Sequence, residues 1–395
     1  MSEYQYHEWQ SIDRVLTSAE QSAVDGLSSH IEVSSSRAVV TYQWSDFRHD
    51  PKDVLLKYFD AYLYWANWGS LRLMFRFPKG LLDSAELEPY CIDDSISVET
   101  VGNHQVIDLN FDSQDSGDWD EGNAELSQFI QLRADLLEGD YRLLYLAWLK
   151  EMAQDESSDD ESDEMIGSED EDNEMVDAED DDDDPISDRE PPVPPGLKKL
   201  SPPLENFVET FGIDPFLIQA AAEASPDANK ALAVDYRTLI SQLPREECDI
   251  FLTRLAEGDP SVGLALRKRL KTTLPRQHQL PAEPRTIHEL LWRAKQLEKA
   301  ENKRQAEATR KKHIAKMKDL AEREAQVWQQ VDTMLADGRK IASVYDGATA
   351  ILESLYELAE YQDSRESFHF HLNLLVEKYS SRPSLIARWE RHAWL

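Results

Sequence analysis

Residues 154–184 read QDESSDDESDEMIGSEDEDNEMVDAEDDDDD. Between Asp155 and Asp184 this run holds nineteen Asp or Glu, no Lys or Arg, and only Met165, Ile166, Met175, Val176 and Ala178 as apolar side chains. Like charges at that density repel, and the apolar surface is too small to offset the backbone entropy of ordering, so the run predicts a disordered, solvated tether. It divides the chain into flanks of about 150 and 200 residues, each long enough to bury a core.

The formal charge of −35 is unevenly spread: residues 1–153 hold 27 acids against 11 Lys or Arg, 155–184 contribute −19, and 185–395 hold 31 of each sign. Basic surface is therefore to be sought in the C-terminal flank. Such an acidic chain does not coat DNA or an anionic membrane with its whole surface, although a local basic patch is compatible with it. Cys91 and Cys248 stand alone, outside any Cys-x-x-Cys or Cys/His cluster, which argues against a disulfide framework or an ordinary structural zinc site. The opening MSEYQYHEWQSIDR lacks a basic stretch followed by an apolar one, and no run approaches the roughly 18 apolar residues of a membrane span. A cytoplasmic chain without a membrane partner is expected.

On the N-terminal side, Tyr4, Tyr6 and the residues to Ile12 alternate as a half-buried strand does, and Thr17 with Glu20 fits a capping box at a helix start. Residues 38–44 and 71–77 read as further strands. Asp50-Pro51 places a cap and an N1 proline before an aromatic-rich helix expected over 54–65. Residues 95–100 and 105–111 form a hairpin through Gly102-Asn103, and 123–153 a helix broken near Gly139-Asp140. This is an α+β domain over 1–153 with a mostly antiparallel sheet. Tyr58, Tyr62, Tyr64, Trp65 and Trp68 suggest either a stacking platform or, the preferred reading, core. His7, Glu8, Asp93, Asp94, His104, Asp108 and Asp112 are the polar residues from which a carboxylate or metal site could be built, and no spacing singles them out.

On the C-terminal side, the Pro-rich 190–196 is expected to act as a stiff spacer, completing a linker over 154–200. An all-α domain then fills 201–395. Short helices begin at or near Pro203, Pro215, Pro226, Pro244 and Pro260, with Leu217, Leu232, Leu239, Ile240, Leu243, Ile250, Phe251, Leu252, Leu255, Leu264, Leu266 and Leu270 expected inside. From about 286 to 336 no Gly or Pro occurs, so one long charged helix of about 75 Å is expected. Its ends are apolar and its middle is not. A coiled coil would keep its a and d positions apolar throughout, so a helix anchored at both ends with a solvated centre is preferred.

Two stretches carry resemblances. Residues 4–14, YQYHEWQSIDR, resemble the opening of an uncharacterised bacterial family. Residues 345–359 with Arg382-Pro-Ser-Leu-Ile386 are similar to the C-terminal helices of bacterial SWIM zinc-finger proteins, over about fifty residues. The Cys and His pattern that names that class is absent here, so no zinc ligand or nucleic-acid contact carries over. The resemblance implies at most a shared helical interaction module.

No P-loop, dinucleotide-binding, nucleophile-elbow or zinc-protease motif occurs. His288-Glu289 lacks a second histidine, and His369 and His371 lack a third ligand, so no metal, cofactor or catalytic residue is assigned. The strongest electrostatic feature is the stretch 267–318, where 16 Lys or Arg face 5 acids. It includes Arg267, Lys268, Arg269, Lys271, Lys303, Arg304, Arg310, Lys311 and Lys312. It reads as a solvated helix face with internal pairs, as a nucleic-acid patch, or as a dock for the acidic tract. The expected function is a non-enzymatic adaptor with a protein partner; the alternative is a nucleic-acid-associated regulator whose basic stretch is masked by the tract.

Overall fold

The computed structural model describes residues 4–111, 124–163, 189–227, 236–259, 262–271, 285–336, 342–392 and 394. Two compact units emerge, Met1–Glu298 and Lys299–Leu395.

The first unit is built on an antiparallel sheet of seven strands: β1 Gln5–Gln10, β2 Glu32–Val33, β3 Arg37–Tyr42, β4 Ala61–Ala66, β5 Leu71–Pro78, β6 Ile96–Val101 and β7 His104–Phe111. Their order across the sheet is β2-β3-β1-β4-β5-β7-β6. On one side lie α1 (Ser18–Asp25) and α2 (Pro51–Tyr58), whose Val24, Val54, Leu55 and Tyr58 join Trp9, Val40, Tyr62 and Met74 in one core. The expected caps form: Thr17 and Glu20 make the capping box, and Asp50 accepts from the Lys52 N–H ahead of Pro51.

Residues 61–66 form a strand rather than a continuation of the helix expected over 54–65. Helix α2 stops at Tyr58, and alternation then sorts the aromatics: Tyr62 lies in the core beneath α2, while Leu63 and Trp65 join the core on the opposite face. Asp60 secures the corner, accepting from the Ile12 and Asp13 N–H groups and pairing with Arg76 at 2.6 Å.

The opposite face of the sheet carries α3 (Ser84–Leu87), α4 (Ile130–Leu137) and α5 (Arg142–Asp163), the last two separated at Gly139, whose φ is +82°. Helix α5 runs nine residues into the acidic run, since a helix anchored by packing needs no new nucleus to extend. The rest of the tract, 164–188, lies outside the described residues.

The helices α6 (Pro202–Phe211) and α7 (Pro215–Ala224), expected with the C-terminal domain, instead join the first unit's core, α6 against α4 and α5 and α7 against α5. Phe211 meets the rings of Phe111 and Phe129 at centroid distances of 5.7 and 6.3 Å. Nor is 190–200 a free spacer. Leu197 is buried in that core, the Tyr90 hydroxyl donates to the Pro192 carbonyl, and the Ser225 hydroxyl donates to that of Pro194. Prolines that need no N–H partner can lie flat against an apolar face. Helices α8 (Tyr236–Gln242), α9 (Arg245–Ala256) and α10 (Val262–Lys271) form a small satellite around Leu239, Leu243 and Leu270.

Helix α11 (Ile287–Ala336) is the expected long helix. Leu290, Leu291 and Ala294 enter the first unit's core. In the second unit its last turns, through Val331 and Leu335, pack with α12 (Ala342–Tyr361), α13 (Arg365–Lys378) and α14 (Pro383–Arg391). Leu352, Phe368, Leu372, Leu385 and Trp389 fill that core.

Candidate functional site

The nine basic residues singled out in the sequence separate into two groups. Arg267, Lys268, Arg269 and Lys271 belong to α10 in the first unit, where Arg267 pairs with Glu138 at 2.8 Å and Arg269 with Glu247 at 2.7 Å. The side chains of Lys268 and Lys271 lie outside the described set. Lys303, Arg304, Arg310, Lys311 and Lys312 sit on the middle of α11 in the second unit, all exposed. Arg304 reaches Glu301 at 3.4 Å. Among the described residues Lys303, Arg310, Lys311 and Lys312 make no ion pair, nor do Lys299 and Lys318 on either side. Residues 302–313 form an unbroken exposed stretch of helix, anchored below by the buried Met317.

The satellite α8–α10 departs from expectation in a different way. Ile240, Ile250, Leu252 and Leu255, expected inside, are exposed by 42, 58, 60 and 60 %. Helix α9 has no buried residue. At about 100° per residue, Cys248, Phe251, Leu252 and Leu255 share one side of it; Cys248, at the start of that side, touches the satellite's small core, while the two leucines further along it are exposed. The apolar spacing of α9 was visible in the sequence, but periodicity identifies a face without saying what covers it. Ion pairs of Arg245 with Asp249 and Arg254 with Asp259 surround this side with partly exposed charges.

Of the polar residues of the N-terminal flank, His7, Glu8 and Asp108 are buried and bonded within the fold. His7 is buried, its Nδ1 2.9 Å from the Tyr62 hydroxyl, and its ring is enclosed by Trp9, Tyr42, Phe47 and Tyr64. Burial pushes its pKa down to about 4, against the opposing pull of Asp46. Glu8 projects from the other face. Burial there pushes its carboxyl up, but bonds from Arg37, the Leu126 N–H, Gln10 and Tyr6 together hold it below the usual range. Asp108 takes a bidentate grip from Arg72 at 2.8 and 2.6 Å. Asp93 and Asp94 are exposed in a turn, His104 starts β7, and Asp112 lies outside the described residues. The His369 and His371 rings bond different carbonyls, of Trp394 and Ser367. Among the described residues, no group of three His, Cys, Asp or Glu is placed to hold a metal ion, and no helix is long and apolar enough to cross a membrane.

Comparison with protein-family models, with curated proteins and with solved structures yields no match.

Proposed function

We propose that the chain is a non-enzymatic interaction protein, an adaptor in a cytoplasmic complex that receives a protein partner on the exposed Leu252–Leu255 part of α9. The observation that carries this reading is the exposure of Leu252 and Leu255, each 60 %, on a helix without a single buried residue. Protein interfaces centre on apolar side chains ringed by polar ones, and large apolar side chains grouped on one exposed face mark such sites. The Arg245, Asp249, Arg254 and Asp259 pairs supply a polar rim of that kind.

The test compares affinity purification of the full chain with that of a Leu252→Asp, Leu255→Asp double variant from the same host. A partner retained by the first and lost by the second, with the thermal unfolding of both chains alike, supports the reading. Equal recovery of every partner by the two chains overturns it.

A further inference from the structure

Independently of α9, the middle of α11 has the composition and geometry of a polyanion-binding surface. Residues 299–318 hold eight Lys or Arg (Lys299, Lys303, Arg304, Arg310, Lys311, Lys312, Lys316, Lys318) and two acids (Glu301, Glu307), a net charge of 8 − 2 = +6. This is a local field set inside a chain whose total is −35. Two of the eight charges are engaged: Arg304 with Glu301, and Lys316 with Glu357 at 3.2 Å.

The helix sorts six of the eight into rows. At about 100° per residue, Lys299, Lys303 and Arg310 fall within about 40° of one another, and Arg304, Lys311 and Lys318 form a second row about 100° round the helix. Neighbours seven residues apart within a row are spaced by about 10.5 Å, and the whole face extends about 28 Å along the axis. Only Glu307 interrupts it. The first row ends where Met317 is buried and His313 meets the Tyr361 ring at 6.5 Å; the second continues to the exposed Lys318.

We propose that this cationic face of α11 binds the phosphodiester backbone of a nucleic acid, without reading base sequence. Charge complementarity selects a polyanion, and composition selects phosphate over an acidic protein. Between Lys299 and His313 the side chains other than charged and amide ones are Ala300, Ala306, Ala308 and Thr309. Protein interfaces are depleted in Lys and depend on aromatic or large apolar anchors, none of which lies between Lys299 and His313. A repeating phosphate chain needs no such anchor: its affinity comes from counterions released as Lys and Arg neutralise successive charges. With no fork of side chains committed to base edges, the contact is of the positioning kind.

The experiment titrates the full chain against a labelled 30-base-pair duplex of arbitrary sequence between 50 and 200 mM salt. A second chain carries Lys303→Gln, Arg310→Gln and Lys311→Gln. A third lacks 164–184, which removes thirteen acids and their competition with phosphate. Helicity is checked for all three by circular dichroism. Engagement of four to six phosphates gives a log–log salt slope of about −4 to −5, the triple variant flattens that slope by roughly 3, and the shortened chain binds more tightly at every salt concentration. Absence of binding by both the full and shortened chains at 50 mM overturns the proposal. So does a triple variant that binds unchanged, or polyglutamate competing as well as duplex at equal charge, which would assign the face to acidic protein instead.

Discussion

Glu190 and Arg285, 95 residues apart in the chain, form a bidentate ion pair with both contacts at 2.8 Å, the carboxylate buried and the guanidinium partly exposed. The Tyr145 hydroxyl donates to the same carboxylate, Arg285 also donates to the Ala220 carbonyl at 3.0 Å, and the Glu190 N–H donates to the Arg285 carbonyl at 2.9 Å. With the bridge between Arg189 and Thr286, this clasp ties the chain emerging from the acidic tract to the start of α11. Everything from α6 to α10 is a loop closed by it.

Breaking a buried pair from one side leaves an uncompensated charge, at a cost of about 3–5 kcal/mol. Glu190→Ala is therefore expected to lower the first unit's stability by up to that amount, less whatever the partly exposed Arg285 recovers from water, read from urea unfolding. A loss below about 1 kcal/mol would mean that Arg285 is rehydrated without cost and that the clasp is incidental.

Trp65 distinguishes core from platform. It is 5 % exposed, stacked on Tyr6 with centroids 5.3 Å apart, and packed among Leu63, Leu71 and Leu73. Trp65→Ala should cost about 3–5 kcal/mol in the same assay. A nearly neutral substitution that abolished binding to a ligand would restore the platform reading.

His7 makes the first unit sensitive to acid. The unfolded chain takes up this proton near pH 6.5 and the folded chain near 4, so between those values the unfolded state binds more protons. The contribution is complete above about pH 6.5 and is lost as the pH falls towards 4. Between pH 7 and pH 5 the native chain should lose about 2 kcal/mol more than a His7→Gln variant. Parallel losses in the two chains would show that the imidazole is not buried neutral.

The contacts of α6 with the sheet make the acidic tract a poor place to divide the molecule. If a specific protease site is inserted after Met175 and cut, the pieces should co-elute on size exclusion, held by Phe207 and Phe211 against Phe111 and Phe129. Separation under native conditions would restore a boundary at the tract.

Local chemistry was legible in the sequence. The Thr17–Glu20 box, the Asp50-Pro51 cap, the Gly102-Asn103 hairpin, the break at Gly139 and the long helix without Gly or Pro each follow from one residue's conformational preference, and each stands in the structure. What failed was tertiary. Residues 61–66 carry aromatics compatible with either period, and pairing with β1 and β5 on both sides decides for a strand. The Pro-rich 190–196 resembles a spacer until Glu190 finds Arg285. Leu252 and Leu255 read as core because an apolar face carries no record of whether its cover lies in the same chain. The basic stretch is one feature in the sequence, whereas its two halves belong to different units.

Docking of a protein partner on α9 is read out by photo-crosslinking in the native host. A photoreactive amino acid is placed at Leu252, at Leu255, or at the exposed Glu353 on α12 as a control. One discrete protein adduct shared by positions 252 and 255 and absent at 353 is expected. No adduct at either α9 position, or the same adducts at all three, would contradict it.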